Sequence, residues 1–159
     1  MPGRLAVVPS RADKRGMSEQ AGGKGDRVVD GWTYVLGLYG LGNLANGVWM
    51  LVSPRSWYNY LPAGVPDFGP LNEHFVRDLG GLFLLIGAAL MGAAVRRKLR
   101  VPAIAFASGF SVLHALVHVY DTASGRVAAA HWLVDFVPVY LPAIVLVFAL
   151  RSALRGARA

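Results

Sequence analysis

The chain has 159 residues, 55% of them hydrophobic and only 16% charged, and sixteen Lys and Arg against nine Asp and Glu give a net charge of +7. A soluble domain carries about 25% charged residues, so the deficit points to lipid. No cysteine is present, which excludes disulfide bridges, thiolate zinc or iron–sulfur centres, c-type haem attachment and thiol redox chemistry.

Residues 1–30 are polar and Gly-rich, without apolar periodicity, and read as a disordered basic tail. They are not a signal peptide: the charged region is too long, and the apolar stretch after it is of span length. Met17 is an alternative start to Met1. Crossing a hydrocarbon core of about 30 Å takes roughly 20 apolar residues, and four stretches within a membrane domain at 31–151 meet that requirement. They lie at about 31–52, 75–95, 101–120 and 132–150, with a second basic tail at 152–159. The expected fold is therefore an all-α, four-helix membrane bundle.

The first span carries Gly37, Gly40, Gly42 and Gly47, while Ala88-x-x-x-Gly92 and Ala105-x-x-x-Gly109 are small-residue pairs of the kind that let membrane helices approach closely. Pro138 and Pro142 are expected to bend the fourth span. The one long connection, Ser53 to Glu73, holds Trp57, Tyr58, Tyr60, Pro62, Pro66 and Pro70. It is expected to lie on the membrane face, with a short interfacial helix around 56–61 that lids the bundle.

Thirteen of the sixteen basic residues fall in the N-terminal tail, the connection Arg96 to Arg100 or the C-terminus; only Arg55, Arg77 and Arg126 fall on the other side. Basic segments stay cytoplasmic, so both termini are expected inside, and the positive charge serves topology and anionic lipid headgroups rather than nucleic acid.

All four histidines lie on the opposite, outer side, with five of the nine acids. His74 and Asp78 are four apart on the second span. His114 and His118 are four apart on the third, with Asp121 three further on, and His131 and Asp135 repeat the spacing on the fourth. Residues three or four apart share a helix face, so three helices each present a His/Asp stripe at one end of the bundle. Imidazole and carboxylate together bind transition metals, which makes His114, His118, His74, His131, Asp78, Asp121 and Asp135 a candidate metal set. Haem with paired axial histidines is a second use of these residues, although His114 has no other histidine at its depth. A third is a pocket for a quinone- or lipid-like ligand, with Asn43, Asn46, Arg77, Tyr120 and Trp132 as further lining. Near span ends the same residue types also meet water, form an aromatic belt or join helices, so convergence is what the structure has to decide.

The run His74-Phe75-Val76-Arg77-Asp78-Leu79-Gly80-Gly81-Leu82-Phe83-Leu84-Leu85-Ile86-Gly87, with the chain's size and four spans, resembles the small bacterial membrane proteins of the DoxX-like group. That resemblance implies a bacterial inner membrane and, for some members, quinone-coupled respiratory chemistry; it implies no catalytic residue. A broader likeness to four-span sterol-isomerase-type proteins rests on acidic and His residues in a membrane pocket. Three roles follow as expectations: an outward-facing His/Asp pocket for a metal or small amphipath, an accessory subunit of a membrane complex or a homo-oligomer, and an enzyme acting on a lipid-like substrate with Asp78 or Asp135 and a neighbouring His as acid and base.

Overall fold

In the computed structural model, which describes residues 26–27 and 29–158, four helical segments are long and apolar enough to cross a membrane. Helix α1 is Gly31–Val52, α2 is Pro54–Tyr60, α3 is Glu73–Val95 and α4 is Arg97–Ala123, with a 3-10 turn at Val65–Phe68 between α2 and α3. The fourth span is composite: α5 (His131–Val134), a π-helical segment (Phe136–Tyr140) and α6 (Leu141–Arg158). The disordered-tail reading of residues 1–25 and the choice of start lie outside the described residues.

Local chemistry sets these boundaries. Asp30 caps α1 by accepting from Thr33 N at 3.0 Å, while the Thr33 hydroxyl accepts from Asp30 N at 3.1 Å. Asn72 caps α3 through Phe75 N. The basic stretch expected as a loop is mostly helix: only Arg96 separates α3 from α4, and Arg97, Lys98 and Arg100 form the first turn of α4. The C-terminal tail expected at 152–159 likewise continues α6 to Arg158. In the fourth span, Pro138 and Pro142 have no N–H to donate. The ladder widens there, and Val139 N and Tyr140 N both reach the carbonyl of Asp135, at 2.9 and 3.1 Å.

The spans pack in chain order, α1 on α3, α3 on α4, and α4 on α6. Glycine brings the first pair to backbone contact: a Cβ on Gly47 would lie 2.7 Å from the Gly80 carbonyl oxygen, and one on Gly87 would lie 2.8 Å from that of Gly40. Gly42 and Gly109, from the same predicted small-residue pattern, face open space. Leu36, Ile86, Leu90, Ile104 and Leu146 form one buried core; Met50, Trp57 and Val76 form a second near the α2 end.

The first core lies toward the basic end, where the starts of α1 and α4 meet the end of α6. Trp32 donates to Ser152 Oγ at 3.0 Å, and Arg97 donates to the Gly156 carbonyl. Asp26, at the end of the segment read as tail, accepts from Arg97 N and Lys98 N. Buried Arg100 grips Asp30 with two hydrogen bonds of 2.7 and 2.9 Å and reaches the Ala93 carbonyl.

The Arg100 guanidinium beside it holds the Asp30 carboxyl down to about 2 from the ordinary 3.8. A depressed carboxyl stabilises the fold above its unfolded value, and that contribution is lost as pH falls through about 2. Asp30→Asn is expected to cost roughly 1–2 kcal/mol at pH 7. This is less than a fully buried pair, because the Asp30 side chain is 40% exposed and water screens it. Melts in detergent should show wild type and variant converging as pH falls toward 2; a constant gap would contradict this pairing.

Candidate functional site

At the other end of the bundle the chain turns sharply after α2. Gly64 adopts a left-handed conformation, φ 60°, and a Cβ there would sit 2.9 Å from His131 Cε1. This turn delivers Asp67 and Phe68 onto the fourth span. Asp67 Oδ2 lies 3.0 Å from His131 Nε2, and the Phe68 ring rests against the rings of both His131 and His118, with centroids 4.8 and 4.6 Å apart.

Below this turn three of the groups that helical spacing singled out meet: His118, His131 and Asp135. Asp135 is completely buried; its Oδ1 is 3.3 Å from His131 Nδ1 and its Oδ2 is 2.8 Å from His118 Nδ1. One carboxylate thus orients two imidazoles from different elements. His131 is itself buried. Each of its ring nitrogens faces a carboxylate, Nδ1 toward Asp135 and Nε2 toward Asp67. His114, one turn before His118 on α4, stands edge-on to the His118 ring at 4.6 Å and stacks parallel on Phe110.

His114 and His118 face a cavity of about 1180 Å³. Its walls come from α1, α2, α3, α4, the last span and the connection after α2, and are dominated by Leu, Val, Phe and Pro side chains. The polar groups among them are few: Tyr39, Asn43, Asn46, Tyr58, Asn72, His114, His118 and Asp121, with the Trp57 indole beside them. Asn43 and Asn46 line this cavity. Asn43 donates to the Tyr39 carbonyl, and Asn46 accepts from the Trp57 indole N–H at 2.8 Å, which anchors α2 to α1. A short helix, expected at 56–61, forms at 54–60, but the covering over the cluster is the following turn, Gly64 to Phe68.

Several expected members do not converge. His74 and Asp78 pair with each other at 3.4 Å on the outside of α3, with side chains 88% and 65% exposed. Their face of α3 looks outward, because the opposite face carries the glycines that meet α1. Arg77 pairs with Glu73, which also binds Arg55, and takes no part in the cavity. Tyr120 is exposed under the Arg126 guanidinium, and Trp132 is exposed beside Tyr140. Asp121 reaches the cavity wall but its carboxylate lies 4.0 Å from Arg126 and not among the histidines.

Among the described residues, no three His, Asp or Glu side chains stand as a metal-ligand set. The Nδ1 atoms of His118 and His131 are both turned to Asp135, and His131 Nε2 to Asp67. Asp67 and Phe68 were absent from the residues read as the site. The only signal for them in the sequence was an acid beside an aromatic in a Gly/Pro-rich connection facing the histidine side. No family model matches the chain, and neither a curated protein nor a solved structure matches it.

Proposed function

We propose that the chain is a bacterial inner-membrane protein with both termini cytoplasmic that binds a small amphipathic molecule, quinone- or lipid-like, in the cavity between its spans. The observation that carries this reading is the pairing of about 1180 Å³ of mainly apolar space with a few polar groups in its lining, His114 and His118 among them. An apolar pocket with a small number of placed polar groups is the usual form of a small-molecule site. Phe83, Phe110 and Leu146 suit a hydrocarbon or ring body; His114 and His118 suit an oxygen-bearing head. The basic ends of α1, α4 and α6 share one end of the bundle, as the positive-inside rule asks of a cytoplasmic face, and the resemblance to the DoxX-like group supports the bacterial membrane.

Titration of the purified protein with decylubiquinone is expected to give saturable quenching of tryptophan fluorescence, reversed by excess oleic acid if the site takes amphipaths in general. His114→Phe keeps a flat ring in the Phe110 stack but removes the polar edge. Losing one hydrogen bond of about 1.4 kcal/mol should weaken binding roughly tenfold, while His74→Ala, on the exposed face, should leave it unchanged. Quenching that never saturates, or equal affinity in His114→Phe, overturns the reading.

A further inference from the structure

The hydrogen-bonded chain beneath the turn has two different ends. Asp67 is 63% exposed at the outer surface. His118, at the other end, has its Nδ1 on Asp135 and lines the cavity, so its Nε2 is left for what occupies that space. Between them stand His131 and the fully buried Asp135, in three contacts of 3.0, 3.3 and 2.8 Å. An imidazole takes a proton at one nitrogen and gives one from the other, and a carboxylate has two oxygens that face two partners here.

We propose that Asp67, His131, Asp135 and His118 form a proton relay between the outer aqueous face and the polar head of the cavity's occupant, whose class is therefore a weak acid such as a phenol, hydroquinone or carboxylic acid. The proposal rests on the ligand-binding reading above and deepens it.

In the starting arrangement His118 carries its proton on Nδ1, Asp135 is a carboxylate, His131 carries protons on both nitrogens, and Asp67 is a carboxylate. The ligand O–H bond breaks and its proton joins His118 Nε2. The His118 Nδ1 proton moves to Asp135 Oδ2, and the His131 Nε2 proton moves to Asp67 Oδ2, which releases it to water. The products are a ligand anion, His118 protonated on Nε2, a neutral Asp135 acid and a neutral His131 protonated on Nδ1. One proton has left the ligand, one has reached water, no electron pair has changed owner, and reversal returns the proton. The geometry fits the starting arrangement, in which an imidazolium lies between two carboxylates, one facing each ring nitrogen.

The remaining titratable groups around the cavity and this end are Tyr39 of α1, His114, Tyr120 and Asp121 of α4, Tyr140 of the π segment, and Tyr58 and Tyr60 of α2. The charged groups at the start of α3, Glu73, His74, Arg77 and Asp78, pair among themselves and with Arg55. The Phe68 ring lies against both imidazoles.

The test uses the full chain in lipid nanodiscs with a 7-hydroxycoumarin bearing an alkyl chain as probe. Energy transfer from tryptophan reports binding, and phenolate fluorescence after a stopped-flow jump to alkaline pH reports proton loss from the bound probe. Asp67→Asn and His131→Gln each keep a hydrogen-bonding side chain but cannot carry the proton onward. Both are expected to bind the probe within about twofold of wild type while phenolate appears at least tenfold more slowly. Equal rates with binding retained overturn the relay and leave the binding reading standing. No binding in wild type overturns that reading and the relay with it. Loss of binding in Asp67→Asn with the melting temperature of wild type retained assigns Asp67 to holding the ligand and overturns the relay.

Discussion

Gly47→Val is expected to abolish the native pairing of α1 with α3, with a loss of at least ~3 kcal/mol in denaturation measured in mixed micelles. Even alanine is too large there. A Cβ at Gly47 would stand 2.7 Å from the Gly80 carbonyl oxygen and 3.0 Å from Leu84 N, and one at Gly87 would stand 2.7 Å from Leu44 Cγ and 2.8 Å from Leu44 N. The obstacle is backbone on both sides, so relief requires moving one helix away from the other rather than turning a side chain. In a bilayer, helices associate through close packing because lipid tails are as apolar as leucine, and separation by one methyl's width forfeits much of that contact. Overpacking a tight interior commonly costs about 1–3 kcal/mol, and a contact made by two backbones lies at or beyond the upper end. Gly42→Ala and Gly109→Ala meet open space and should be neutral or gain a few tenths of a kcal/mol from better helix propensity. Gly47→Ala melting within 0.5 kcal/mol of wild type would mean that the two helices are not in backbone contact.

The contrast among these glycines shows what a linear pattern carries. Small residues were visible throughout, but which of them face a partner depends on helix rotation, and Gly40 and Gly47, seven apart, turned out to oppose Gly80 and Gly87, also seven apart. Span positions were readable from the apolar runs: the first matches at Gly31–Val52, the second to within two residues of its start. The third begins four residues earlier than expected. Charge looked like loop, yet Arg100 folds back onto Ala93 and Asp30 and stays helical. The fourth hides a break at Asp135 that two prolines foreshadowed without specifying a π segment.

The site was legible in the same partial way. Spacing of four put His131 with Asp135 and His114 with His118 on shared faces, and packing of the last span on α4 brought those faces together. The identical spacing of His74 and Asp78 led outward, since periodicity names residues on a common face and is silent on where that face points. Asp67 is 64 positions from His131. Its placement depends on a left-handed glycine and a tight turn, neither of which leaves an apolar rhythm to read.

Asp135→Leu is expected to destabilise the fold by about 3–5 kcal/mol, the cost of removing one partner from a fully buried polar set. Leucine nearly fills the volume, so the penalty comes from what stays behind: His131 and His118 both lose their Nδ1 acceptor, and His131 is only 2% exposed. Asp135→Asn should cost less, roughly 1–2 kcal/mol, because its one carbonyl oxygen can still accept from one imidazole while its amide faces the other and forces that ring to accept instead. The exposed pair sets the scale for comparison: His74→Ala removes a His–Asp contact of the same spacing and should change stability by less than 0.5 kcal/mol. A double-mutant cycle separates the hydrogen bond from general disruption. If His118 is held by Asp135, His118→Phe should cost less in the Asp135→Leu background than in wild type, by at least about 1 kcal/mol. Additive losses would mean that the 2.8 Å contact contributes nothing to the fold. His118 Nε2 would then have no oriented partner behind it, and the relay would lose its step from the cavity to Asp135.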